Sequence, residues 1–151
     1  MGFVPETARV LLTAAVLSAT ALGAFVWKLT RPDLDGAERL IGQLRLAQWA
    51  ALVLSATGSV SIGLAVANAG VPFGTVEITV GMACVILAGF VLTRDPREAL
   101  LVCVAAFVAH ALVDLAHRPG MLTPMAPAWY LAGCAIYDIF LAAICYWARR
   151  T

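Results

Sequence analysis

The chain has two histidines, and both fall in one short string, H-x-x-x-D-x-x-H, formed by His110, Asp114 and His117. On an α-helix, positions i, i+4 and i+7 share a face. A carboxylate then lies one turn from each imidazole. Such a stripe suits acid–base work, with a histidine and a desolvated carboxylate as partners. It also suits a divalent metal ion of the zinc, iron or manganese kind. Haem, with one or both histidines axial, ranks last because nothing else marks a haem pocket. At 1.5 Å rise, i and i+7 stand about 10 Å apart along the axis. The easier chelating pairs are therefore His110 with Asp114, or Asp114 with His117, and the candidate metal set is His110, Asp114 and His117.

These residues stand in an unusually apolar setting. The 151 residues are 62% hydrophobic and only 13% charged, with a net charge of +1 and a mean hydropathy of +0.92. A soluble domain carries about 25% charged residues. This composition excludes a soluble globular chain and a disordered one, and the charge offers no basic footprint for nucleic acid. The remaining class is all-α: a polytopic membrane helical bundle in a single domain, with membrane lipids around it. Spans of about 20 apolar residues are expected near 9–27, 44–69, 73–93, 98–117 and 128–148. Strands are excluded, because an open sheet leaves backbone groups unpaired in hydrocarbon.

Local chemistry sets the boundaries. Asp95-Pro96-Arg97-Glu98 reads as a helix start, with Asp95 as N-cap, Pro96 in the first turn and Glu98 able to close a capping box. Asp35-Gly36-Ala37-Glu38 repeats the Asp-x-x-Glu pattern and starts the second helix before the membrane. Gly70-Val71-Pro72 separates the second and third spans. Arg118-Pro119-Gly120 ends the fourth, and Pro124 and Pro127 lead into the fifth. Lys28, Arg31, Arg39, Arg45, Arg94, Arg97, Arg149 and Arg150 fall on one side of this layout, and only Arg9 and Arg118 on the other. The excess of basic residues belongs inside, which predicts five spans, N-out and C-in, in a cell membrane. Trp27, Trp49, Trp129, Trp147, Tyr130 and Tyr146 lie near span ends, as interfacial aromatics do. The first span is expected to be retained rather than cleaved as a signal peptide, since Glu6 offsets Arg9 and the apolar core is long. Met1-Gly2 lacks the following Ser or Thr of a myristoylation signal.

A charged side chain at mid-bilayer costs about 2.5–3.5 kcal/mol on insertion scales, so intramembrane charges turn to the bundle interior. Glu77 and Asp138 join His110, Asp114 and His117 here, and the topology puts all five in the outer half of the bilayer. His110, Asp114, Asp138 and Glu77 are the candidate catalytic residues. Inward faces are expected along Glu77, Gly81, Cys84 and Ala88, and along Tyr130, Cys134, Tyr137, Asp138, Leu141 and Cys145. Ser55, Ser59 and Gly63 offer a small-residue packing seam on the second helix. The cysteines Cys84, Cys103, Cys134 and Cys145 lack C-x-x-C spacing and read as small buried hydrophobes. If Asp138 serves a water-filled pocket, Asp138→Leu is expected to fold and lose activity.

The stretch from His110 to Asp138, a fifth of the chain, resembles a family of small bacterial polytopic membrane proteins of unknown function, with the pattern H-A-x-x-D-x-x-H, a Pro-rich outer loop and G-C-A-I-x-D. This chain carries His110-Ala111, Asp114 and His117, then Gly133-Cys134-Ala135-Ile136-Tyr137-Asp138. Arg118 stands where that family often has a second histidine. The resemblance implies that Asp138 belongs with His110, Asp114 and His117, and supplies no reaction. The layout is also similar to small membrane-embedded lipid enzymes, such as sterol isomerases and lysoplasmalogenase-like hydrolases. The expected function is a membrane-embedded enzyme acting on a lipid or another apolar small molecule. The alternative is a non-enzymatic accessory subunit or small-ligand-binding membrane protein.

Overall fold

The computed structural model describes residues 6–29, 35–67, 74–118, 121–122 and 126–150, and for 6–12, 14, 15 and 29 the backbone alone. Five helices follow one another: α1 (Glu6–Leu29), α2 (Gly36–Ala67), α3 (Gly74–Val91), α4 (Pro96–Ala116) and α5 (Ala128–Arg150). The described residues contain no strand. Four helices, α2 to α5, are long and apolar enough to cross a membrane, and the described apolar stretch of α1 is Val16–Lys28. The breakers Gly70, Val71, Pro72, Pro119, Gly120 and Pro124 lie outside the described residues, as do Arg31 and positions 68, 69 and 73 of the expected spans.

The helix starts follow the expected chemistry. The Asp95 side chain accepts from the backbone N–H groups of Arg97 and Glu98, and Pro96 opens α4. Asp35 Oδ1 accepts from the Glu38 N–H at 2.7 Å, which starts α2 at Gly36. At 1.5 Å per residue, the 32 residues of α2 extend about 48 Å, well beyond a hydrocarbon core of about 30 Å. That excess is long enough for the first turns of α2, with Glu38, Arg39 and Arg45, to extend beyond an apolar layer. Glu98 lies 3.9 Å from Arg94 in an exposed ion pair.

Polarity is arranged inside out. Ile136, Trp27, Ile86 and Leu112 are among many large apolar side chains on the surface, while Gln43, Ser61, Glu77, His110, Asp114 and Asp138 are buried. So much exposed hydrocarbon exceeds what a water-soluble monomer presents, and it fits a bilayer as the surrounding solvent. Inside, Leu46, Leu54, Leu100, Cys103, Phe107, Cys145 and Ala148 make the close-packed apolar core.

The helices pair as two hairpins. α2 packs chiefly on α3, and α4 chiefly on α5. α2 and α3 also contact α4, and α1 lies against α5 and α2. Gly58 and Gly81 are where α2 and α3 touch backbone to backbone: a Cβ on Gly81 would sit 2.6 Å from the Gly58 carbonyl oxygen. The expected Ser55–Ser59–Gly63 seam is displaced. Ser59 and Gly63 are exposed, a Cβ on Gly63 would meet nothing within 4 Å, and the buried stripe is Leu54, Gly58, Ser61 and Ala65. Small residues crowd several faces of this helix, and only the groove opposite Gly81 selects one. The expected stripe on α3 is buried throughout, and that on α5 is buried or half-buried.

Candidate functional site

One turn of α4 carries the centre of the site. His110 and Asp114, at i and i+4, point toward α5, where Asp138 meets them. His110 Nδ1 lies 2.7 Å from Asp138 Oδ2 and 3.6 Å from Asp114 Oδ2. The first distance is a hydrogen bond and the second is too long for one. All three residues are buried, Asp138 at 2% exposure. The antiparallel packing of α4 on α5 brings residues 28 apart in sequence into contact.

The other imidazole nitrogen is also held. Ser61 Oγ of α2 lies 3.3 Å from His110 Nε2. With Nδ1–H donating to Asp138, the Ser61 hydroxyl donates to Nε2; this tautomer is assigned by the network. Three helices therefore fix one imidazole. Ser61 carried no sequence signal: it is one of several small polar residues in the stretch Ser55 to Gly63, and 49 positions separate it from His110. The tight approach of α2 to α3 at Gly58, less than a turn away, sets which of those residues faces inward.

Glu77 and His117 form a second pair. His117 Nε2 is 2.7 Å from Glu77 Oε1, in ion-pair contact but at an angle outside hydrogen-bond geometry. The other ring nitrogen, Nδ1, is 2.9 Å from the Val113 carbonyl oxygen and donates to it. His117 is the C-cap of α4, and its side chain is only 4% exposed. The five candidate residues thus form two groups rather than one. His110, Asp114 and Asp138 converge, while His117 is turned to Glu77 at the start of α3. The three ligand atoms that can meet, His110 Nδ1 and one oxygen from each aspartate, all lie within 4.8 Å of one another.

One atom of this group is left over. Asp114 Oδ2 is buried and accepts no hydrogen bond. A buried carboxylate oxygen calls for a hydrogen-bond donor or a cation beside it. Around the group, Tyr130 and Cys134 stand half-buried one turn apart on α5, and Cys84 is buried on α3. Tyr137, next to Asp138, shares a 2.7 Å hydrogen bond with Ser18 of α1. All four cysteines are free, with Cys84, Cys103 and Cys145 buried and Cys134 half-buried.

The cluster offers an imidazole with a carboxylate on one nitrogen and a hydroxyl on the other, beside a second carboxylate. That set can move a proton or hold a cation within an otherwise apolar interior. Compared with protein families, curated proteins and solved structures, the chain finds no match.

Proposed function

We propose that the protein is a five-span, N-out and C-in cell-membrane protein, and that its buried cluster is a reaction centre for a lipid or another apolar small molecule. The observation that carries this reading is the fixation of His110 by Asp138 and Ser61 from two other helices. Burial of two aspartates and a histidine is costly in hydrocarbon, and intramembrane ionisable groups of this kind mark functional sites. A substrate dissolved in the bilayer reaches such a centre without crossing water, and only its polar group needs to meet the cluster. Asp138 orients His110, Asp114 supplies a second carboxylate whose Oδ2 accepts no hydrogen bond, and Ser61 steadies the far side of the ring. The Glu77–His117 pair lies one turn outward from Asp114 and flanks the approach from the outer surface. The likeness of the stretch from His110 to Asp138 to the uncharacterised bacterial family is part of the same proposal.

The test compares lipid extracts of membranes holding the wild-type chain, His110→Gln or Asp138→Asn at equal folded amounts. One lipid or apolar metabolite should be consumed or formed by the wild type alone. Identical extracts from all three would sink the enzyme reading and leave an accessory or ligand-binding protein.

A further inference from the structure

Asp114 Oδ2 is the one atom of the cluster whose surroundings are incomplete. The residue is 9% exposed, and this oxygen has no hydrogen-bond donor. It stands 3.6 Å from His110 Nδ1, and Asp138 Oδ2 stands 2.7 Å from the same nitrogen. We infer that His110 Nδ1, Asp114 and Asp138 form a binding site for one divalent transition-metal ion of the zinc, manganese or iron(II) class. The inference rests on the cluster being a functional centre and names the cofactor of that centre.

The spacing fits. Two donors bound tetrahedrally at about 2.0 Å stand about 3.3 Å apart. The two separations at His110 Nδ1, 2.7 and 3.6 Å, lie on either side of that value. The carboxylate oxygens lie within 4.8 Å of each other, so side-chain movements of about 1 Å would bring all three donors to one ion. The charge fits too. Two carboxylates and a neutral imidazole carry a charge of −2, and a divalent cation makes the group neutral, the state that a low-dielectric interior tolerates. The donor chemistry narrows the ion: one imidazole and two carboxylates favour borderline or hard divalent ions over soft ones such as copper(I).

The far side of the ring completes the argument. With an ion on Nδ1 the ring takes its other tautomer, and Nε2–H donates to Ser61 Oγ at 3.3 Å, the hold through the far nitrogen that a ligating histidine normally has. His117 lacks this freedom: Nδ1 is engaged by Val113 and Nε2 by Glu77. Asp138 therefore replaces His117 in the ligand set that the sequence suggests. Three protein donors leave room for water or the polar group of a substrate, as catalytic metal sites do.

The test uses the full chain in nanodiscs, stripped with a chelator and titrated with Co(II), read by visible absorption and by elemental analysis. The expected result is one cobalt per chain, displaced by Zn(II). His110→Gln, Asp114→Asn and Asp138→Asn should each abolish the cobalt spectrum, while circular dichroism shows the helices intact. Ser61→Ala should weaken binding about tenfold, as loss of an outer-shell partner does. His117→Gln should leave binding unchanged and serves as the folded control. A wild-type protein that takes up neither cobalt nor zinc overturns the inference, and so does binding that survives Asp138→Asn but fails in His117→Gln. Lipid turnover that depends on His110 in a wild type without metal affinity removes the metal and leaves the reaction centre. Metal binding with unchanged lipids does the reverse.

Discussion

Replacing Asp138 by leucine removes the acceptor 2.7 Å from His110 Nδ1 in a place only 2% exposed. A water-filled pocket would absorb that loss. The burial of Asp138 makes the opposite outcome the expected one, because the stranded N–H would stand in a buried, largely apolar interior. A buried donor left without its acceptor costs about 1–3 kcal/mol. Asp114 limits the damage. Its Oδ2 lies 3.6 Å from the same nitrogen, so a movement of about 0.7 Å would bring it to ordinary N–H···O length. Asp138→Leu alone should therefore destabilise by about 1–2 kcal/mol, with Asp114 as substitute acceptor. Asp114→Leu alone removes an oxygen that accepts nothing, and should cost about 1 kcal/mol or less. The double variant has no substitute, so it should exceed the sum of the singles by about 1 kcal/mol, a roughly fivefold extra change in the folding equilibrium. Denaturant unfolding in mixed micelles, with chelator present so that no bound ion contributes, measures the cycle. Strict additivity, or an unchanged midpoint for Asp138→Leu, would refute the view that the three side chains share one buried network.

Gly58→Ala and Gly81→Ala should each force α2 from α3 and cost about 1–3 kcal/mol by overpacking, whereas Gly63→Ala, with open space around it, should be neutral or mildly stabilising in the same unfolding assay. Gln43→Leu removes the 2.8 Å bond from Gln43 Nε2 to the Ala148 carbonyl oxygen, in the last turn of α5 where helical N–H donors run out; a loss of about 0.5–1.5 kcal/mol should appear as faster hydrogen exchange near residues 145–150. Asp95→Ala should cost about 1 kcal/mol through the lost α4 cap, read by thermal unfolding. A cysteine placed at Thr151 should resist an impermeant maleimide added to intact cells, and ready labelling would invert the proposed orientation.

The spacing of His110, Asp114 and His117 made the α4 face legible, because a helix converts i, i+4 and i+7 into one stripe. Asp138 was legible as an expensive residue at a compatible depth. The division into two groups was not legible, since it depends on how α3 is rotated against α4, and shared depth carries no lateral information. Ser61 was hidden for a different reason. A serine in an apolar helix can satisfy itself on a backbone carbonyl, as Ser59 does on Ser55 at 2.8 Å, so its presence raises no energetic alarm. Gln43 escaped in the same way, as one polar residue in the interfacial turns of α2. The helix starts at Asp35 and Asp95 were readable because capping is local chemistry, independent of which neighbour the helix later meets.

The two-hairpin packing has a consequence for how the chain is assembled. The α4/α5 hairpin carries its own internal match, His110 with Asp138, and can enter the bilayer with that polarity already paired. The α2/α3 hairpin has no such match for Glu77, whose counterpart, His117, belongs to α4. Until the hairpins close on each other, Glu77 stands in the apolar layer as an unmatched acid. The same contacts that shape the site therefore also tie the two hairpins to each other, Glu77 to His117 and Ser61 to His110.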